Sequence, residues 1–170
     1  MDSTQAQFLA KSLCALWEGE FPATCKVIAA VPDGKRDYRP DEKSRTAWEL
    51  ATHLASADIW FINAILAGSF VFDPAAEKQQ VSKFSNVADV VAFYKKEFPA
   101  ALDKIRGMAG EKLAAPTDFF GIMKMPNVTY IGFGNNHSIH HRGQLAAYLR
   151  AMGSKVPAIY GASADEPMPG

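Results

Sequence analysis

Three of the chain's four histidines fall in one short block, H-S-I-H-H-R-G-Q, which begins at His137. His137 and His141 are one helical turn apart, so their imidazoles project about 40° apart from one face of a helix. Two neutral imidazoles with this spacing can bind one divalent metal ion together. The fourth, His53, lies on the apolar stripe of another predicted helix. We therefore predict a mononuclear metal site with His53, His137 and His141 as ligands.

A buried histidine is more often a hydrogen-bonded core residue than a ligand, but three of them facing one core would be costly to desolvate without partners. One ion satisfies all three, which favours the metal interpretation. His140 lies about 100° around the helix from His141, so we expect it at the rim of the site, without a bond to the ion. Gln144 faces the site and is expected to hydrogen-bond a ligand or a bound water, or else to make a polar core contact. The pattern assigns no catalytic residue.

The surrounding residues narrow the metal chemistry. Dinuclear carboxylate sites need Glu-x-x-His pairs and several inward glutamates, which the predicted helices do not supply. A zinc-protease helix would carry Glu where Ser138 stands, and no Gly-x-Ser-x-Gly elbow indicates a serine hydrolase. Three neutral histidines leave coordination positions open, where the pKa of a bound water or thiol is lowered. Zinc is our first expectation, and nickel, iron and copper also suit imidazole.

Four amphipathic segments position these residues, at about 3–30, 46–68, 87–108 and 129–152. On the second, His53 shares a stripe with apolar and aromatic side chains, and Asp58 lies opposite. We predict a loop at residues 74–84 and an extended tail beyond Lys155. Residues 110–128 show no clear periodicity of apolar residues and are predicted to form a long connection. No stretch alternates at period two, so we predict an all-α four-helix bundle.

Composition bounds the remaining possibilities. The 170 residues suggest one domain spanning 1–170, and the zero formal net charge does not favour nucleic acid as a partner. The longest apolar run, 59–72, is shorter than a bilayer span, and no secretory signal is visible at the start. Cys14 and Cys25 lie about 16 Å apart along one helix, too far to pair, so they are expected in the core. We expect a cytoplasmic protein with no membrane partner.

The Glu-Leu-x-x-His-Leu segment around His53, the H-S-I-H-H-R-G-Q block and the ending G-S-K-V-P-A-I-Y-G together resemble the DinB/YfiT-like family of bacterial proteins. The resemblance implies an up-down-down-up four-helix bundle, often dimeric, with a metal held at His53, His137 and His141. Some members of the family are transferases and isomerases that depend on low-molecular-weight thiols, and the resemblance implies a similar role for this chain. The resulting hypothesis is a metal-dependent thiol S-transferase. The alternatives are a metal-dependent hydrolase and a non-catalytic metal-binding protein of the stress response.

Overall fold

The computed structural model describes residues 1–167; the last three residues of the expected domain and tail lie outside this range. Four long helices form a bundle, and two short helices and a small β-hairpin are inserted between them. In chain order the elements are α1 (Ser3–Ala29), α2 (Ala47–Ala67), α3 (Pro74–Val81), α4 (Val87–Arg106), α5 (Gly110–Ala114), β1 (Pro116–Phe119), β2 (Met123–Pro126) and α6 (Thr129–Ala151). The four long helices match the predicted segments to within two residues at each end.

The ends of the second and last long helices follow the signals in the sequence. Thr46 and Glu49 form a reciprocal capping box at the start of α2, and Gly68 ends that helix at φ 69°. Gly153, just beyond α6, also has φ 69°. Glycine is favoured at both positions because other residues rarely adopt a left-handed backbone.

The relative directions of α2 and α6 bring the histidines together. Both α1 and α2 pack against α4 and α6. Asn127, just before α6, donates its amide to the carbonyl oxygen of Ile65 near the end of α2, at 2.7 Å. Further along α6, His137 meets His53 near the start of α2. The two helices are therefore antiparallel.

The ends of α1 fix the directions of the other two helices. The first backbone N–H of α4, on Val87, donates to Asp33 just after α1, so α1 and α4 are antiparallel. Ser154, just after α6, donates to the carbonyl oxygen of Ala30, so α1 and α6 are parallel. The bundle is thus up-down-down-up, as expected. The crossover that joins the parallel helices α2 and α4 is residues 68–86.

One sequence expectation about the connections was wrong. Residues 74–84 are not a loop, because α3 forms within them, with Asp73 capping its first turn and Pro74 at its first position. No residue of α3 is buried, so it has no apolar stripe from which the sequence could reveal it. The 110–128 connection contains α5 and an antiparallel two-stranded hairpin, in which Phe119 pairs with Met123. Residues of α3 and Phe119 of the hairpin line the same cavity as His53 and His137, whereas α5 packs against α1.

The core fills the space between the four long helices. Its largest fully buried side chains include Trp17, Tyr94 and Phe98. Helix α2 is long and apolar enough to cross a membrane by length and composition, but 67% of its most apolar window is buried inside the bundle. Packing among helices therefore accounts for its apolar character. Cys14 and Cys25 are buried free thiols, as predicted, and burial raises the pKa of each to about 11.

Candidate metal centre

The structure brings together the same three histidines that the sequence selected. His53 stands in the second turn of α2, and His137 and His141 stand in successive turns of α6. Their ring centroids are 5.1 Å (His53 to His137), 4.7 Å (His53 to His141) and 4.4 Å (His137 to His141) apart. One nitrogen from each ring lies within 4.8 Å of the other two. The cluster could hold a metal ion.

The spacing of the nitrogens fits a shared ion. Nε2 of His53 lies 3.2 Å from Nε2 of His137. Two nitrogens bound to a tetrahedral zinc, each at about 2.0–2.1 Å, would be about 3.3–3.4 Å apart. A hydrogen bond between two imidazoles could also give 3.2 Å, but such a pair does not need a third ring. A nitrogen of His141 lies within 4.8 Å of both, so a third donor is available to the same ion.

The surroundings keep the three imidazoles neutral at pH 7. Burial lowers the pKa of His53 to about 3 and that of His137 to about 4, and the positive charge of Arg45 acts in the same direction. Burial also lowers the pKa of His141, opposed by its hydrogen bond to Gln144. Neutral imidazole is the form that binds metal, so protons compete little for these nitrogens near neutral pH.

The second nitrogen of each ring has a different environment. His141 Nδ1 lies 2.7 Å from Oε1 of Gln144, the contact for which Gln144 was singled out. His53 Nδ1 lies 3.8 Å from a carboxylate oxygen of Glu77. His137 Nδ1 is buried and has no partner within residues 1–167. His140 is exposed, with its ring centroid 5.0 Å from that of His141, and is outside the three-nitrogen cluster.

Glu77 is the residue of this site that the sequence analysis missed. It belongs to α3, which lies over the histidines, and its side chain is 35% exposed. The Asp73-Pro74 pair was a usable signal, because Asp is a favoured N-cap and Pro a favoured first helical residue. Extending a helix from that point would have placed Glu77 at the end of its first turn, but nothing in the sequence shows that α3 folds back over α2.

A cavity of about 750 Å³ opens beside two of the histidines. His53 and His137 form part of its wall, and α3 and the hairpin border it. Most of the wall is apolar, from the aromatic side chains of Trp60, Phe61, Phe72, Phe93, Phe119 and Phe133. Pockets of this size accommodate small organic ligands. A ligand in the cavity could therefore reach the histidine cluster.

Arg142, in the same sequence block, points away from the histidines and supports the bundle. It is 1% exposed and pairs with Glu20 of α1 at 2.6 Å. It also donates to the hydroxyl oxygen of Tyr160 in the tail at 2.7 Å, and Tyr160 donates to Glu20 at 2.8 Å. This network ties α6 to α1 and to the tail.

Asp58, placed opposite His53 on the helical wheel, is fully buried rather than facing solvent. One of its carboxylate oxygens accepts hydrogen bonds from Tyr94 of α4 at 2.6 Å and from Ser138 of α6 at 3.0 Å. Burial raises the pKa of this carboxyl to about 7. Asp58 therefore links three helices next to the histidine block.

The fold and the histidine cluster define a class of helical-bundle protein with an internal three-histidine site. The chain belongs to the DinB family, which it matches over residues 3–168. It is 28% identical over 152 residues to the uncharacterized protein YrdA of Bacillus subtilis. The matched region covers 88% of this chain and 87% of YrdA.

Solved structures show the same fold. The DinB-like protein YjoA of Bacillus subtilis superposes with a TM-score of 0.68 at 22% identity, over 87% of this chain and 97% of that one. A DinB-like protein from Bacillus cereus gives 0.68 at 22% identity, over 88% and 97%. A mycothiol-dependent maleylpyruvate isomerase gives 0.51 at 11% identity, over 92% of this chain and 65% of that one. At these identities the likeness concerns the fold alone.

Proposed function

We propose that this protein is a metal-dependent enzyme that transfers the sulfur of a low-molecular-weight thiol to an electrophile. The observation that supports this most strongly is the convergence of three neutral imidazoles, two of which line a cavity of about 750 Å³. A purely structural site has little need of such an opening, because structural zinc sites are closed by four protein ligands. Here three ligands leave room for an exogenous one.

The chemistry that the ion supplies, when bound, is Lewis acidity that lowers the pKa of a thiol or water brought to it. Zinc suits an all-imidazole set, and nickel and iron are the alternatives. The donors His53, His137 and His141 would hold the ion, and their lowered pKa values keep them free of protons near pH 7. Gln144 would fix the ring orientation of His141 through its 2.7 Å contact.

The reaction itself needs no oxidant or reductant. A sulfur–carbon bond forms, the bond from that carbon to its leaving group breaks, and the thiol proton passes to solvent or to a carboxylate. Glu77 is the carboxylate nearest the histidines that also lines the cavity. The fold-level likeness to a mycothiol-dependent isomerase favours a thiol as the co-substrate.

The test is turnover by metal-loaded protein that has been purified without a nickel column. Cysteine, N-acetylcysteine and coenzyme A serve as thiols, and 1-chloro-2,4-dinitrobenzene serves as the electrophile. We expect thiol conjugation above the uncatalysed rate, lost in His137→Ala and retained in His140→Ala, which removes an exposed histidine outside the cluster. Turnover that is indifferent to His137→Ala would reject the proposal.

Two other functions remain as candidates, each with its own observation. Glu77, beside His53 and at the cavity wall, is a possible proton acceptor for a metal-activated water, which favours a hydrolase. Ester hydrolysis in thiol-free buffer would support that function over transfer. The ligands also come from two helices, so an ion could serve only to tie α2 to α6. A bundle that melts on chelation and turns over no thiol would favour a non-catalytic role.

A further inference from the structure

Helix α3 turns polar side chains toward the cavity. None of its eight residues is buried, and the three that are partly covered are Glu77, Gln80 and Val81. Glu77 and Gln80 line the cavity together with His53 and His137. A helix that packs on a protein for stability alone normally turns an apolar stripe inward. The carboxylate and the amide on the covered face of α3 therefore need another explanation.

The carboxylate of Glu77 lies against His53. Its Oε1 is 3.8 Å from Nδ1 of His53, and no Lys or Arg pairs with it within residues 1–167. An acidic residue in the first turn of a helix favours that helix, but a side chain turned to solvent would have the same effect. A partly covered carboxylate loses hydration and needs a partner in return. The only partner that the described residues offer is the ring of His53.

The two nitrogens of the His53 ring face different groups. Nε2 lies 3.2 Å from Nε2 of His137, so this nitrogen faces the three-histidine cluster. Nδ1 is the nitrogen that faces Glu77. A neutral imidazole that binds a metal through Nε2 carries its proton on Nδ1, where it is a donor. Carboxylates are common acceptors for that proton, and they raise the basicity of the ligand and fix the orientation of its ring.

The other two rings of the cluster have no such partner. Nδ1 of His141 lies beside the neutral amide of Gln144, and Nδ1 of His137 has no partner within residues 1–167. His53 is therefore the one ring of the three that a carboxylate approaches in the described part of the chain. A bound divalent ion would bring two positive charges to three neutral ligands. Glu77 is placed to offset part of that charge through His53.

We propose that Glu77 is a positioning residue of the metal centre, which accepts the Nδ1 proton of His53 in the metal-loaded protein. It acts through His53 and is not itself a ligand, because it lies at the edge of the ring that faces away from the cluster. Its second carboxylate oxygen stays available for the proton transfer described above. The inference rests on the metal site of the proposed function, and it holds whatever reaction occurs there.

The test is zinc affinity, measured by competition with a chromophoric chelator on protein purified without a nickel column. We expect Glu77→Ala to weaken zinc binding by about 10–100-fold, the usual effect of removing such a partner. Glu77→Gln keeps an oxygen acceptor without the charge, so it should recover part of that loss. No residue of α3 is buried, so both variants should fold. A Glu77→Ala protein that binds zinc as tightly as the wild type would overturn the proposal.

Two matched variants separate the contact with His53 from more general effects. Gln80→Ala removes the other polar side chain that α3 turns to the cavity. Glu97→Gln removes another carboxylate from the cavity wall, on α4. Both should bind zinc about as tightly as the wild type. A loss in either variant as large as that in Glu77→Ala would contradict a specific role for the contact with His53.

Nuclear magnetic resonance supplies a readout that a merely structural role would not change. In the zinc-loaded wild type we expect the Nδ1 proton of His53 to be protected from exchange with water, and in zinc-loaded Glu77→Ala to lose that protection. The Nδ1 proton of His141, beside Gln144, is the internal control and should be unchanged. A His53 proton that stays equally protected in Glu77→Ala would also overturn the proposal.

This inference and the proposed function fail in different ways. If the wild type and Glu77→Ala bind zinc equally well, only the role of Glu77 is wrong. If the affinities change as expected but no thiol is conjugated, the role of Glu77 stands and the transferase function is wrong. A wild type that binds no zinc would overturn both.

Discussion

Glu20→Ala should destabilise the fold severely, because it leaves the buried guanidinium of Arg142 without a carboxylate partner. Arg142 is 1% exposed, and Glu20 is its only carboxylate partner among the described residues, at 2.6 Å. Only the Glu20 carbonyl, the Thr24 hydroxyl and the Tyr160 hydroxyl would remain as acceptors. Removing one member of a buried ion pair costs about 3–5 kcal/mol. For a domain of this size that corresponds to a Tm lower by about 6–20 °C.

Glu18→Ala is the matched control, because Glu18 lies on the same helix and pairs with Arg106 at the surface. The side chains of that pair are 55% and 32% exposed, so its loss should cost at most about 1 kcal/mol. The measurement is urea unfolding and thermal melting of both variants against the wild type. Adding Arg142→Leu to Glu20→Ala should recover part of the loss, since no buried charge is then stranded. A Glu20→Ala variant no less stable than Glu18→Ala would refute this reasoning.

Three further predictions concern the pH dependence and the packing of the bundle. With a chelator present to remove metal, the free energy of unfolding should fall as pH drops below about 6.5. The folded histidines have lowered pKa values, so the protein takes up protons when it unfolds. Each such proton contributes up to about 1.4 kcal/mol per pH unit. Denaturant titrations at stepped pH check this, and a pH-independent stability between 4 and 6.5 would contradict it. Asp58 acts in the opposite direction, because its folded pKa is raised to about 7, so the wild type should lose stability as pH rises through 7. Asp58→Asn, which mimics the protonated acid, should lose less between pH 6 and 8.5 in the same titrations; an equal loss would show that Asp58 does not titrate there. Gly134→Ala should destabilise despite the better helix propensity of Ala, since a Cβ would lie 2.5 Å from the buried Trp17 ring. Gly143→Ala on the same helix has open space and should stabilise by up to about 1 kcal/mol, and equal melting shifts would contradict the close contact.

The parts of the fold that follow from periodicity were predictable. The long helices bury apolar stripes, and the signals at Thr46 and Gly68 mark the ends of α2. The histidine cluster was predictable for the same reason, because the wheel that places His53 inward rests on the apolar residues around it. The family resemblance then supplied the topology, which the helix contacts confirm.

What could not be predicted depends on contacts between segments far apart in the sequence. Helix α3 buries none of its residues, so its position over the cavity, and with it the carboxylate of Glu77, leaves no periodic pattern. Asp58 was placed opposite His53, but α2 packs against both α4 and α6 and so buries two faces. Only the partners Tyr94 and Ser138 make its burial tolerable, and the sequence does not show which helices supply them.

The central claim is that His53, His137 and His141 hold one metal ion. Its most direct test is elemental analysis, after reconstitution with zinc and removal of excess metal, of the wild type, His137→Ala and His140→Ala, all purified without a nickel column. We predict about one ion per chain in the wild type and in His140→Ala, and loss of the ion in His137→Ala. A wild type without stoichiometric metal, or a His137→Ala variant that retains it, would contradict the account.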